Sequence, residues 1–305
     1  MAMTDYTEGT TPMTGKTRNT RAGPYRGRMA ALATQHGKER VVARPLRAAL
    51  GLGVTVPANI DTDLLGTFTG DVKRTGTPRE VAIRKARLGM SASGLPLGLA
   101  SEGSFGPHPL IPYLSASDYE LMAFVDDEIG FTLVDGILTE VTNFGQRPAR
   151  TVDDLTDFLL RARFPSHALI VRPNEGLKPD LFFKGISDHA ALAHAVRRCA
   201  AASADGLAHV ETDMRAHVNP TRQTAIRQVA FRLARRLAAL CPSCGTPGWG
   251  GTGVERGLPC KACGAPTELV KHEIFGCTRC DHKAVKPRDD ALPYAEENFC
   301  PCCNP

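Results

Sequence analysis

Apolar residues fall into two alternating kinds of segment between residues 28 and 240. Short apolar runs at 29–33, 54–56 and 95–100 are typical of buried strands. Residues 41–50 and 78–91 instead carry apolar side chains at helical spacing, which predicts two helices. Because strands alternate with helices, the pattern predicts an α/β domain with a mostly parallel or mixed sheet flanked by helices.

The same alternation continues to residue 240. Two neighbouring strands are predicted around a turn at 128–130, and a long amphipathic helix closes the region. The predicted strands are 120–125, 131–134, 167–171, 181–184 and 208–210, and the predicted helices are 153–163, 187–202 and 221–240. We therefore expect one α/β domain over residues 28–240.

Nine of the ten cysteines lie in the last 65 residues, 241–305. Eight of them form four C-x-x-C pairs, here called knuckles. Thiolates suit zinc, and a two-residue gap lets one tight turn present both sulfur atoms to one ion. Because four sulfurs complete a tetrahedral site, the knuckles predict a double zinc ribbon with two structural zinc ions. The knuckles are Cys241/Cys244, Cys260/Cys263, Cys277/Cys280 and Cys300/Cys303.

The spacing leaves open which knuckles share an ion. Sequential pairing joins the first knuckle to the second and the third to the fourth, and its shorter loops favour it slightly through closure entropy. A nested arrangement joins the two middle knuckles and the two outer ones. Cys302 is left over in either case. Because zinc ribbons commonly contact protein or nucleic acid, we expect such a partner for this module.

The formal net charge of +5 comes from 37 basic and 32 acidic residues. Residues 1–28 carry +3 of it, so the rest of the chain carries only +2 and does not predict nucleic-acid binding by charge alone. We interpret residues 1–27 as a disordered basic tail, because they are rich in Thr and Gly and lack an apolar period. Neither a membrane-spanning apolar run nor a signal-peptide core occurs, so we expect a cytoplasmic protein without membrane contact.

A carboxylate stands where the predicted strand 95–100 ends. Glu102 is followed by small residues, among them Ser104, and then by a Gly-Pro-His-Pro run that contains His108. Open α/β sheets bind ligands at the carboxyl ends of their strands, and small residues let a ligand approach the backbone. The segment predicts Glu102 as a catalytic residue, with Ser104 and His108 as ligand contacts. The alternative is a tight Gly-Pro loop with a solvated glutamate.

Two further segments carry candidate ligand-binding residues. The loop after the first strand opens a helix, where backbone N–H groups, His36 and Lys38 suit a phosphate. Asp213, Arg215 and Arg222 lie at a later strand-to-helix junction, and together they suit a metal ion and a phosphate. For this second segment the alternative is helix capping with a solvated Arg222.

Five segments are distinctive: ATQHGKE (33–39), ASEGSFGPHP (100–109), TNF (142–144), ETDMRAH (211–217) and the ending 300–305. Through them the chain resembles, from residue 28 to residue 305, an uncharacterised bacterial family catalogued as a domain of unknown function. The resemblance implies no established activity.

Residues 28–135 contain, in order, a strand, a T-x-H-G-K loop, a helix, a strand, a helix with Lys85 and a strand running into Glu102. This order gives the segment a distant resemblance to the non-standard purine nucleoside triphosphate pyrophosphatases. The resemblance implies that His36 and Lys38 hold a triphosphate, that Lys85 supports it, and that Glu102 binds Mg²⁺. The chain has Ser101-Glu102 where one branch of that superfamily has paired aspartates, and His36 where asparagine is usual.

These observations favour Mg²⁺-dependent hydrolysis of a nucleotide phosphoanhydride. Glu102 would hold the metal ion, with Asp126, Asp127 or Asp213 as a partner, and a metal-bound water would attack phosphorus. The side chains that would neutralise the phosphate charge are Lys38, Lys85 and Arg215.

Two other functions stay open at this point. The first is a non-catalytic nucleotide-binding or regulatory protein whose ribbon binds a protein or nucleic acid. The second is nucleic-acid binding through the tail and the ribbon, which predicts an affinity that falls steeply with salt.

Overall fold

The computed structural model describes residues 23–58, 60, 76–110, 115–176 and 178–305 of the chain. Within that part, no helix is both long enough and apolar enough to cross a bilayer. In chain order the elements are β1 (Met29–Leu32), α1 (Glu39–Leu50), β2 (Gly53–Thr55), α2 (Pro78–Ser93), β3 (Leu97–Pro107), β4 (Ala116–Asp126), β5 (Phe131–Thr139), β6 (Gln146–Ala149), α3 (Thr156–Ala162), β7 (Leu169–Pro173), β8 (Phe183–Ile186), α4 (His189–Ala202), β9 (Ala208–Thr212), α5 (Pro220–Ala238), β10 (Gly250–Arg256), β11 (Val270–Gly276) and β12 (Lys283–Pro287). Short 3-10 helices lie at Asp153–Leu155, Pro179–Leu181, Ala216–Val218 and Glu297–Phe299.

The first sheet has the strand order β2-β1-β3-β4-β5. β1 runs parallel to β2 and β3, whereas β4 is antiparallel to β3 and β5, so the sheet is mixed. Helices α1 and α5 pack on one face, where their apolar side chains share a core with Leu99, Met122 and Phe124. Helix α2 covers the other face through Ala82 and Ala86. The predicted α/β class, with a mixed sheet flanked by helices, is confirmed.

A second sheet, with the strand order β6-β9-β7-β8, lies between β5 and α5 along the chain. Its strands pair antiparallel, and with α3 and α4 they enclose a separate core that includes Leu169, Val196 and Val210. Residues 28–240 thus form two sheets rather than the one that the sequence pattern predicts. Hydrophobic periodicity identifies strands and helices, but it does not say which strands pair.

Strand β3 differs most from the predicted elements. It continues to Pro107 and stays paired with β4 throughout, from Leu97 opposite Asp126 to Pro107 opposite Ala116. The predicted loop after residue 100 is therefore wrong, and Glu102 lies within the sheet. Glycine and proline normally mark turns, but a proline is tolerated at the end of a strand and a glycine fits where another backbone or side chain comes close.

Tyr25 belongs to the core, although the sequence pattern places it in a tail. Its buried ring packs against Phe124 with the ring centroids 5.2 Å apart, and its hydroxyl donates a hydrogen bond to Asp126. The predicted tail 1–27 therefore extends too far, and its residues 1–22 lie outside the described residues. One aromatic side chain in a polar segment produces no apolar period, which is why the pattern misses it.

Strands β10, β11 and β12 form a third, antiparallel sheet in that order. The module begins at Cys241, directly after α5, and it contacts the first sheet. Arg236 of α5 donates a hydrogen bond from Nε to the carbonyl oxygen of Gly248 at 3.2 Å. Leu133 of β5 lies so near that a Cβ at Gly248 would be 3.4 Å from it. The beginning of the cysteine module is therefore packed against α5 and β5.

Candidate functional site

The eight cysteines of the knuckles form two tetrads. In each tetrad the four Sγ atoms all lie within 4.8 Å of one another. Sulfur pairs that join two knuckles are 3.5 and 3.8 Å apart in the first tetrad, and 3.5 and 4.0 Å apart in the second. The first tetrad is Cys241, Cys244, Cys277 and Cys280, and the second is Cys260, Cys263, Cys300 and Cys303.

These separations fit a tetrahedral metal site. With Zn–S bonds of about 2.3 Å, the sulfurs around a tetrahedral zinc lie about 3.8 Å apart. Four thiolates leave no ligand position open, so zinc held here would cross-link the loops rather than act on a substrate. Two C-terminal sites able to bind a metal ion such as zinc are therefore present, as the spacing predicts. Cys302 is exposed and belongs to neither tetrad.

Alternate knuckles share a site, so both the sequential and the nested pairing are wrong. The first knuckle joins the third, and the second joins the fourth. The antiparallel sheet explains this, because Gly250 at the start of β10 lies opposite Gly276 at the end of β11. Two knuckles that flank one strand lie at its opposite ends, roughly 20 Å apart for a strand of this length. They are too far apart to bind one ion.

Loss of the first tetrad should destabilise the first sheet, and loss of the second should not. The first tetrad closes the loop whose Gly248 packs against Arg236 and Leu133. We expect Cys244→Ser/Cys277→Ser to lower the melting temperature of the α/β core by about 2–4 °C for each kcal/mol lost. Cys263→Ser/Cys300→Ser should leave it unchanged. Calorimetry on the two variants checks this, and equal losses would refute it.

Buried charged side chains cluster around β3 and β4, just beyond the end of β1. Successive residues of a strand point to opposite faces of the sheet. Glu102 therefore faces α2, where it contacts Lys85, and Gly103 faces α5, where it lies under Arg222. The two faces carry different charged groups.

On the α2 face, Lys85 and Glu102 form a buried ion pair. Lys85 Nζ lies 2.5 Å from Glu102 Oε1, and the glutamate side chain is 1% exposed. Helix α2 is well defined at its start, because Thr77 and Glu80 form a capping box around Pro78. The sequence-predicted pair of Lys85 and Glu102 thus meets in the structure.

On the α5 face, Arg222 enters the cluster from the first turn of its helix. Its Nε donates to Glu120 Oε1 at 2.5 Å, and its Nη1 donates to the carbonyl oxygen of Met214. The guanidinium also lies over the ring of Phe105, 5.0 Å from the centroid. Asn219 caps the helix, as the alternative interpretation proposes, by accepting a hydrogen bond from the Arg222 amide. The solvated Arg222 of that interpretation is wrong, because the side chain is fully buried.

Gly103 leaves room for this ion pair. A Cβ there would be 2.5 Å from Glu120 Oε1 and 2.8 Å from Arg222 Nη2, which is too close for non-bonded atoms. We expect Gly103→Ala to displace the pair and lower the free energy of unfolding by roughly 2–4 kcal/mol. Gly106→Ala is the matched control in the same strand, because no heavy atom of the described residues would lie within 4 Å of its Cβ. Urea denaturation compares the two, and equal stabilities would contradict the expected clash.

Lys38 lies at the edge of β3 and interacts electrostatically with charged side chains on both faces of the first sheet. Its Nζ donates a hydrogen bond to the carbonyl oxygen of Ser101 at 3.0 Å, because β1 ends short of this point and leaves the edge of β3 open. Burial, with the charge of Arg222, lowers the pKa of Lys38 to about 8, against the opposing effect of Glu120 and Glu102. The ammonium group is thus coupled to acids on both sides of the sheet.

Two histidines lie beside Lys38 and Arg222. The rings of His36 and His217 stack nearly parallel, with their centroids 5.3 Å apart. Burial lowers the pKa of His36 to about 4, with smaller contributions from Lys38 and His217. Burial also lowers the pKa of His217. Both imidazoles are therefore neutral near pH 7, and they suit hydrogen bonding better than charge neutralisation.

Asp213 is fully buried and binds Arg215 with both carboxylate oxygens. Arg215 Nη2 lies 2.5 Å from Asp213 Oδ2, and Arg215 Nε lies 3.0 and 3.1 Å from the two oxygens. Because both oxygens are engaged by one guanidinium, Asp213 positions Arg215. A metal-binding role of Asp213 beside Glu102 stays a prediction.

Asp118 and Glu120 are the residues of the cluster that sequence reasoning misses. Both are 1% exposed on β4, and they lie opposite Phe105 and Gly103 on the α5 face. Burial, together with the charge of Glu120, raises the pKa of Asp118 to about 8 against the opposing effect of Arg222. The sequence does contain a signal for them, because two acids stand two residues apart in a largely apolar strand. Side chains alternate between the two faces of a strand, so both acids lie on the same face.

The raised pKa of Asp118 predicts a pH-dependent stability. Between about pH 4 and pH 8 the unfolded chain has lost this proton while the folded chain keeps it, so stability falls as pH rises. We expect Asp118→Asn to remove a slope that approaches about 1 kcal/mol per pH unit. Urea denaturation of both chains from pH 4 to pH 8, without divalent cations, measures the difference. Parallel curves would contradict the raised pKa.

The structure leaves two sequence-predicted ligand contacts outside the cluster. Ser104 is exposed, two residues beyond Glu102 on the same face of β3. His108 lies six residues beyond Glu102 along the extended chain, or roughly 20 Å. Its Nε2 lies 3.7 Å from Glu140 Oε1. Neither side chain lies with the buried charges.

The two aspartates proposed as metal partners of Glu102 also lie elsewhere. Asp126 accepts hydrogen bonds from the Tyr25 hydroxyl and from two amides of the following turn. It lies opposite the first residue of β3, roughly 17 Å from Glu102 along the strand. Asp127 is exposed and pairs with Arg87. Neither can share a metal ion with Glu102, and that expectation is wrong for both.

Two segments that carry the first resemblance join the two sheets at this cluster. The ring of Phe144 stacks on that of Phe105, with the centroids 6.1 Å apart. Asn143 accepts a hydrogen bond from Asn219 at 2.9 Å, next to the start of α5. The second sheet is thus fixed against the charged cluster of the first.

Fold and sites together define an α/β protein with a buried charged cluster and two C-terminal cysteine tetrads, each able to bind a metal ion. The chain belongs to the family described as "Domain of unknown function (DUF6671)", whose model matches residues 85–305. The match includes Lys85, Glu102, Arg222 and all four knuckles, whereas His36 and Lys38 precede it. No curated protein matches the chain.

Proposed function

We propose that the buried cluster hydrolyses a phosphoanhydride bond of a nucleoside triphosphate with the help of Mg²⁺. The observation that carries this proposal is that Lys38, Lys85 and Glu102 meet at residues 101–102 of β3. They are distant in the sequence, and the resemblance to the non-standard purine nucleoside triphosphate pyrophosphatases assigns these same residues to the triphosphate and its metal ion. Their burial in one place supports a shared role.

Lys38 is the best placed cation for the phosphate chain. An ammonium group has three N–H donors, and among the described residues Lys38 uses one of them, on the Ser101 carbonyl. Its burial strengthens any charge-assisted hydrogen bond that it makes. Arg215 and the neutral His36 are further contacts for an anion near Lys38. His36 interacts electrostatically with both Lys38 and Arg215, and Asp213 holds Arg215 in place.

The proposed reaction is the attack of water on the α-phosphorus. A bond forms between the water oxygen and phosphorus, and the bond from phosphorus to the bridging oxygen breaks. Pyrophosphate leaves with the bonding electron pair, and the water proton passes to the Glu102 carboxylate, which Lys85 holds in place. Mg²⁺, when bound, neutralises charge on the phosphate oxygens.

A panel assay tests this function. Zinc-loaded protein is incubated with Mg²⁺ and standard or deaminated nucleoside triphosphates, and pyrophosphate and phosphate are followed separately. We expect pyrophosphate without phosphate, and the preferred base identifies the substrate. Folded protein that releases neither product, or phosphate alone, would overturn the proposal.

A second candidate is a nucleotide-binding protein whose ribbon binds a partner. Val254 is exposed on β10, and on the same face of the third sheet Lys286 of β12 lies over the ring of Phe275 at 4.0 Å. This mixed apolar and basic surface favours a protein or nucleic-acid contact. Nucleotide binding without turnover in the panel would support this candidate, and a steep salt dependence of partner binding would indicate nucleic acid.

A further inference from the structure

Four buried side-chain oxygens on the α5 face of the first sheet have no hydrogen-bond partner in the part of the chain that the structure describes. They are Ser101 Oγ, Glu120 Oε2 and both carboxylate oxygens of Asp118. All three side chains are almost completely buried. Buried polar atoms are seldom left unsatisfied, so such a group indicates an ordered water, an ion or a ligand.

The sheet register places the three side chains on one face, with Glu120 between Asp118 and Ser101. Glu120 lies opposite Gly103, Ser101 lies two residues before Gly103 on β3, and Asp118 lies two residues before Glu120 on β4. Residues two apart on a strand share a face, so all three side chains stand on the same side. The Glu120 carboxylate lies directly over Gly103, since a Cβ there would be 2.9 Å from its Cδ. Asp118 and Ser101 therefore flank this carboxylate.

We propose that Asp118 and Glu120 hold a divalent cation between their carboxylates. These carboxylates lie on the α5 face and Glu102 lies on the α2 face, so the inference goes beyond the proposed function and assigns a cation site separate from the proton acceptor. Mg²⁺ prefers oxygen ligands and is commonly bound by one or two protein carboxylates, with water and substrate phosphates in its other positions. Lys38 is electrostatically coupled to Glu120, so phosphates held by Lys38 would lie near the ion.

The Asp118–Glu120 site fits a cation better than the site expected at Glu102. Lys85 already contacts Glu102 at 2.5 Å, and Arg215 engages both oxygens of Asp213. Glu120 likewise contacts a cation, Arg222, through Oε1, but Asp118 lies two residues away on the same face and supplies a second buried carboxylate.

Binding of Mn²⁺, measured without nucleotide, tests the assignment. Zinc-loaded full-length chain is titrated with Mn²⁺, and the free ion is followed by its electron paramagnetic resonance signal. We expect one Mn²⁺ per chain, displaced by Mg²⁺, and an affinity that falls at least about tenfold in Asp118→Asn. This variant leaves the Glu120–Arg222 pair intact. Asp127→Asn, an exposed aspartate paired with Arg87, is the control and should bind as the parent chain does.

Three results would overturn the assignment. They are no Mn²⁺ binding by the folded parent chain, unchanged binding by Asp118→Asn, and a loss in Glu102→Gln that Asp118→Asn does not share. Zinc content and circular dichroism confirm that each variant is folded. A chain that binds Mn²⁺ through Asp118 but releases no pyrophosphate would refute the proposed hydrolysis and leave the metal site standing.

Discussion

Glu102→Gln should lower the rate of pyrophosphate release by about 10³-fold, because an amide cannot take the proton of the attacking water. Turnover is measured per folded chain, since the substitution leaves the buried Lys85 without its carboxylate partner. Breaking a buried ion pair costs about 3–5 kcal/mol, so a lower stability is also expected.

Two companion variants separate chemistry from folding. Glu102→Gln/Lys85→Met removes both charges of the pair, so it should recover stability without recovering turnover. Asp127→Asn changes an exposed acid outside the cluster and should keep full turnover. Parent-like turnover in Glu102→Gln would contradict the assigned role.

Replacing the cysteines of the first and third knuckles by serine should leave one zinc per chain. In the structure these knuckles form one complete tetrad, so the other tetrad stays whole. Replacing the first and second knuckles should leave no zinc, because each tetrad then loses two thiolates. Zinc is counted by mass spectrometry after treatment with a weak chelator.

The two knuckle variants also distinguish the other pairings. Sequential pairing predicts the reverse result, with one zinc kept when the first and second knuckles are lost. Nested pairing predicts no zinc in either variant. Either result would contradict the alternating tetrads.

Local sequence patterns predict those elements and ligand residues of this molecule that are defined by residues close together in the sequence. Helical spacing finds α2 and α5, and the C-x-x-C spacing finds every ligand of the two tetrads. The T-x-H-G-K loop and the acid after the third predicted strand point to Lys38 and Glu102. In the structure Lys38 donates a hydrogen bond to the carbonyl oxygen of Ser101, the residue before Glu102 in β3. In these cases the informative residues are close together or stand at an element boundary.

The remainder depends on strand pairing, which local patterns do not encode. The alternating tetrads follow from the antiparallel order of β10, β11 and β12. Glu120 and Arg222 are 102 residues apart in the chain, and they meet because α5 returns to the first sheet after the second is complete. Charged residues are mostly exposed in proteins, so a sequence interpretation places Arg222 in solvent and overlooks Asp118.

Hydrolysis in oxygen-18 water shows whether water attacks the α-phosphorus. The preferred nucleoside triphosphate is turned over once in labelled water with Mg²⁺, and the label in each product is measured by mass spectrometry. Attack at the α-phosphorus predicts one labelled oxygen in the nucleoside monophosphate and none in the pyrophosphate. Label in pyrophosphate or phosphate, or no hydrolysis of any triphosphate by the folded protein, would contradict it.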